Sequence, residues 1–130
     1  MSKVTIAAAF LCDDVRREDN GKMIAIGIYG NRIFVNAFPA ILRLSALTNV
    51  SFPSAGRHSF KVRLSVGGEM RQEVTIEAEV RWSGSDWVPL PFEPVQFYKP
   101  NEVSLALELD NGKWRKFLTV PIEVPTSPTA

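Results

Sequence analysis

The sequence predicts an all-β protein: a single antiparallel β-sandwich of about seven to nine short strands, with an up-and-down β-barrel as the alternative. Three observations point there. Runs of alternating apolar and polar residues recur, as in Phe60-Lys61-Val62-Arg63-Leu64-Ser65-Val66, and a period of two marks a half-buried strand. Glycine, proline and asparagine clusters separate these runs, as turns require. No segment carries the apolar period of an amphipathic helix. The 130 residues are 45% hydrophobic. That is enough core for one domain over residues 1–124, followed by a flexible tail of Pro, Thr, Ser and Ala over 125–130.

Val4 to Cys12 is apolar apart from Thr5. A strand apolar on both faces is either central and covered on both sides, or lies at an oligomer interface. Asp13 to Gly21 reads as a polar loop. Lys22 to Val35 is a long β-rich stretch with Ile24, Ile26 and Ile28 on one face. Gly27 and Gly30 within it mark a bulge, a bend or a close backbone approach. Asn36 to Ala40, with Pro39, reads as a connection. Ile41 to Val50 is a strand with Ile41, Arg43, Ser45 and Leu47 on one face, and Ser51 to Arg57 is a loop.

Phe60, Val62, Leu64 and Val66 then share a face, as do Val74, Ile76, Ala78, Val80 and Trp82. A two-residue Gly67-Gly68 turn would set Val66 against Glu69 and Leu64 against Arg71. An odd connection, Gly67 to Glu69 or Gly67 to Arg71, restores apolar-on-apolar pairing. It also lays the basic outer face of the first strand beside the acidic outer face of the second, a solvated sheet surface. Ser83 to Trp87 reads as a turn. Val88 to Tyr98 carries Pro89, Pro91 and Pro94, so it belongs at a sheet edge, which prolines protect.

The last hairpin has the sharpest signal. Asn111-Gly112 suits a type I′ turn. Pairing outward sets Asp110 against Lys113 and Glu108 against Arg115. The other face then matches Leu109 with Trp114, Leu105 with Leu118 and Val103 with Val120. Lys116, opposite Leu107, is the one mismatch.

Fifteen basic and fourteen acidic residues leave a net charge of +1, which argues against nucleic-acid binding through clustered positive charge. One cysteine, Cys12, and one histidine, His58, exclude an internal disulfide and a Cys/His zinc site. The apolar run after Lys3 is too short for a secretory signal. No run approaches the ~20 apolar residues of a membrane span. The expected setting is the cytoplasm, with no membrane partner, no metal and no cofactor.

Candidate chemistry is sparse. Asp13, Asp14, Arg16, Arg17, Glu18, Asp19 and Asn20 form the most polar segment. Its carboxylates invite a calcium reading, since Ca²⁺ takes six to eight oxygen ligands. The spacing is not that of an EF-hand, however, and the arginines neutralise the acids. A salt-bridged segment tied by Asx-type hydrogen bonds is the simpler expectation. His58 reads as a surface residue at a strand start, and no Gly-x-Ser-x-Gly elbow accompanies it. Cys12 reads as a buried structural thiol, its ionisation opposed by neighbouring acids. Trp82, Phe92 and Phe97 read as core. Trp87, beside a turn, is the candidate surface anchor for a glycan or a protein.

Phe10-Leu11-Cys12-Asp13-Asp14, Asn20-Gly21-Lys22 and Ile26-Gly27-Ile28-Tyr29-Gly30 resemble the pattern of an uncharacterised family of small bacterial all-β proteins, known only as a domain of unknown function. The resemblance implies a sandwich-like domain of this length. It implies no activity, ligand or catalytic residue. A well-specified fold without an acid/base pair, metal cluster or phosphate loop is expected to be a non-enzymatic protein-binding or assembly module, with a protein partner or self-association. Binding of a small ligand, calcium or a glycan, is the alternative.

Overall fold

Alternation along the chain resolves into eleven strands in the computed structural model, which describes residues 3–126. They are β1 (Thr5–Arg17), β2 (Met23–Ile28), β3 (Ile33–Phe34), β4 (Ala40–Leu42), β5 (Ser45–Phe52), β6 (Gly56–Val66), β7 (Glu69–Val80), β8 (Gly84–Pro91), β9 (Val95–Phe97), β10 (Asn101–Glu108) and β11 (Trp114–Glu123). One sheet has the order β2-β1-β5-β8, the other β3-β11-β10-β6-β7, and β4 and β9 pair separately. The pairings are antiparallel except that of β3 with β11, which is parallel. A single core joins the two sheets. Leu11, Ala46, Val50 and Leu90 enter it from the first, and Val62, Leu64, Val103, Leu105, Val120 and Ile122 from the second. This is the sandwich the alternation predicts.

Several boundaries differ from expectation. β1 continues through Asp13 and Asp14 to Arg17, so most of the expected polar loop is strand. Lys22 to Val35 divides into β2 and β3, and Ile41 to Val50 into β4 and β5. The expected turn at Ser83 to Trp87 is already the start of β8. β8 is the edge of its sheet, as Pro89 and Pro91 require. Pro125 and Thr126 are exposed and outside any strand. The rest of the expected tail, 127–130, lies outside the described residues.

Both long hairpins meet the parity constraint with a β-bulge. In β6–β7, Gly67 and Gly68 have φ of 59° and 82°, the two positive values of a type I′ turn. Val66 does oppose Glu69 and Ser65 opposes Met70, but the register then shifts and Leu64 opposes Gln72. Beyond the shift Val62 faces Val74 and Phe60 faces Ile76, while Arg63 faces Glu73 and Arg57 faces Glu79. The expected odd loop is thus replaced by an even turn plus one bulged residue.

The last hairpin inverts that solution. Among the described residues no non-glycine residue has positive φ, while Gly112 has φ of 80°, so Asn111-Gly112 is not a type I′ turn. The Leu109 N–H donates to the Lys113 carbonyl at 2.7 Å, and the Gly112 N–H to the Leu109 carbonyl at 2.9 Å. Asp110-Asn111-Gly112 is therefore a three-residue loop with glycine in the left-handed position. Near the turn Glu108 opposes Trp114 and Ala106 opposes Lys116; past a bulge, Leu105 opposes Leu118 and Val103 opposes Val120 as expected. The bulge lets consecutive Phe117 and Leu118 both pack on the core.

Candidate functional site

The polar segment is built on β1, where successive side chains point to opposite faces. Asp13 and Asp14 therefore diverge. Asp13 folds over Gly27 of β2, occupying the space a Cβ there would need, and accepts a hydrogen bond from the Tyr29 hydroxyl at 2.6 Å. Gly27 has φ of +68°, a backbone that favours glycine. Three residues of the Phe10–Asp14 and Ile26–Gly30 motifs thus form one structural unit. Burial, then the hydrogen bond to Asp13 and its charge, pushes the Tyr29 hydroxyl far up. Asp14 accepts the Val15 N–H at 2.9 Å and bridges Arg16 at 3.2 Å.

Beyond Arg17, which pairs with Met23, comes the turn. The Glu18 N–H donates to the Lys22 carbonyl at 2.7 Å and the Gly21 N–H to the Glu18 carbonyl at 2.9 Å. The Asn20 side chain accepts the Lys22 N–H at 3.0 Å. Asp19 sits in the turn between them. This is the same loop as at Asp110-Asn111-Gly112-Lys113, where Asn111 accepts the Lys113 N–H at 3.0 Å. The tetrapeptide Asp-Asn-Gly-Lys occurs at 19–22 and again at 110–113, a signal that would have placed the first hairpin. The segment's carboxylates gather into no site. Among the described residues no three His, Cys, Asp or Glu side chains cluster as metal ligands would.

The isolated candidates fall differently. Burial pushes the Cys12 thiol up, with Asp13 and Asp14 adding to the effect against the Asp14 backbone hydrogen bond, as befits an unreactive structural cysteine. His58 is not a surface residue. Strand β6 starts earlier than expected and its parity turns His58 inward, leaving it 3% exposed. Its ring lies 5.4 Å from Phe52, and Nε2 donates to the Ser54 carbonyl at 2.7 Å. Trp82 is not core but 76% exposed, because β7 ends at Val80. Phe92 and Phe97 are buried as expected.

The registers assemble a surface that no single motif announces. Ile28, Cys12, Ser45 and Pro91 align across the first sheet, as do Phe10, Leu47 and Pro89. Ile26 stands beside Asp14 and Ile24 beside Arg16, while Ala8, Asn49 and Trp87 form a further row. Leu47 and Cys12 are buried but take no part in the core that joins the sheets. They lie on the outer face. Trp87 bridges over β5 to Phe10, ring centroids 6.1 Å apart. Ile24, Ile26, Ile28 and Trp87 are all exposed, Ile28 to 59%. The outer face of β2-β1-β5-β8 is therefore largely apolar, with Asp14 and Arg16 as its charged pair.

The opposite outer face is unlike it. Arg63 bridges Glu73 at 2.9 Å and lies over the Trp114 ring at 3.9 Å. Glu77 and Glu79 on β7 stand beside Ser59 and Arg57 on β6. This face is charged and internally neutralised, as a solvated sheet surface is.

No described helix is long and apolar enough to cross a membrane. No curated protein matches the chain. The model of a family of unknown function, DUF6941, matches residues 7–123, which takes in the Asp13–Gly27–Tyr29 unit and both Asp-Asn-Gly-Lys turns, and the chain belongs to that family.

Proposed function

We propose that this protein is a non-enzymatic binding or assembly module that works through the apolar outer face of β2-β1-β5-β8. One observation carries this: β1 is apolar on both faces, and the second sheet covers only one of them. Cys12 and Leu47 on the other face are buried, but Ile24, Ile26, Ile28 and Trp87 around them are exposed, which supports the second explanation for such a strand, an interface. Contiguous exposed apolar surface is unfavourable in water and marks interaction sites in folded proteins. Trp87 and Phe10 supply the rigid aromatic anchors that interfaces favour. The lone thiol of Cys12 needs no oxidising compartment, which supports a cytoplasmic setting.

A photo-crosslinking residue at position 28 tests this. The expected result is a defined protein adduct in host cells that disappears with Ile26→Lys, while a crosslinker at position 75 on the charged face gives none. Equal, diffuse labelling from both faces would overturn the proposal.

A further inference from the structure

We propose that the occupant of this apolar face is a second copy of the chain, packed face to face about a two-fold axis. This deepens the reading just given and rests on it. The first argument is charge. Asp14 and Arg16 lie on the same face of β1, with side chains 43% and 70% exposed, and they are the charged residues in the aligned rows. One acid and one base cancel, so two copies meet without like-charge repulsion. In an isologous contact residue i of one copy meets residue j of the other, and j meets i. Arg16 of each copy then reaches Asp14 of its mate, exchanging the two internal pairs, one per copy at 3.2 Å, for two pairs across the interface.

The second argument is area. The registers make a stepped patch, three strands wide beside Ala8 and Phe10, four beside Cys12 and two beside Asp14 and Arg16, with strands about 4.8 Å apart and residues about 3.3 Å apart along each. Its flat footprint of about 440 Å² is about half of the roughly 800 Å² of accessible surface each partner loses in a standard interface, the size of a weak contact. Packed sheets also need little rearrangement, since aligned faces stack about 10 Å apart with side chains interdigitated. Ile24, Ile26 and Ile28 project at the period such stacking requires.

The experiment is native mass spectrometry and sedimentation velocity on wild type, Asp14→Arg, Arg16→Asp and an equimolar mixture of the two variants. Wild type is expected to dimerise at micromolar concentration. Each single variant places like charges across the axis and is expected to weaken the dimer at least about tenfold. The mixture is expected to recover a mixed dimer, because a face with bases at both positions then meets a face with acids at both. Circular dichroism melts check that each variant is folded. A monomeric wild type, or single variants that dimerise as well as wild type, would overturn the proposal. Should the crosslinker at position 28 still capture one different protein, the face remains a binding surface and only the identity of its occupant falls. Should it capture nothing, both fail.

Discussion

Asp13, Gly27 and Tyr29 show how much one residue's freedom decides. A Cβ at Gly27 would overlap the Asp13 carboxylate, and the +68° φ disfavours any other residue. Gly27→Ala is expected to destabilise by about 2 kcal/mol or more, from left-handed strain plus displacement of the carboxylate, read as a shift in the urea midpoint. Tyr29 gives a pH signature. Its folded pKa is raised above the ordinary 10.0, so its neutral form is favoured in the folded chain. That contribution is complete below the ordinary value and lost as pH rises above it. Melting temperature is therefore expected to fall between about pH 10 and about pH 12 more steeply in wild type than in Tyr29→Phe. At neutral pH the variant is expected to be weaker by about 1 kcal/mol, the hydrogen bond to Asp13. Identical slopes in the two proteins would refute the assignment.

At the scale of elements, the two Asp-Asn-Gly-Lys turns are a natural control for each other. Gly21 and Gly112 have φ of 87° and 80°, and neither has any atom near the position of an added Cβ. Alanine at either site meets only backbone strain. Gly21→Ala and Gly112→Ala are each expected to cost about 1 kcal/mol, equal within about 0.5, in parallel denaturation curves. A large inequality would mean that one turn is held by contacts beyond its own hydrogen bonds. The Gln72 side chain performs another element-level task. It donates to the Glu93 carbonyl at 2.8 Å and accepts the Glu93 N–H at 2.9 Å. In doing so it ties the segment between β8 and β9 to β7.

For the whole molecule, the contrast between its two outer faces is the principal feature. The charged face is internally satisfied and the apolar face is not. Arg63→Ala loses the Glu73 bridge and the stacking on Trp114, both partly exposed, and is expected to cost about 1 kcal/mol with no change in association. Ile28→Lys is expected to do the reverse, leaving the melting temperature within about 2 °C while abolishing association in sedimentation velocity. A stability loss without an association change in Ile28→Lys would place Ile28 in the fold rather than in the interface.

The chain by itself determined the fold class, the apolar-on-apolar pairing of β6 with β7 and of Leu105 with Leu118 and Val103 with Val120, but not that of Leu109 with Trp114, and the proline-guarded edge. Each depends on a period of two and on local turn chemistry, and both survive in a linear string. The repeated Asp-Asn-Gly-Lys also lay in plain view and locates the first turn. Only the tertiary structure decided where the bulges fall, because a one-residue slip conserves local preference and is resolved by which neighbours the shifted side chains meet. The same holds for His58 and Trp82, whose burial followed from strand boundaries a residue or two away from those the pattern suggested. It holds most of all for β1. A strand apolar on both faces carries no mark of which face is to be covered. Packing of the second sheet chose one, and the other became the candidate interface.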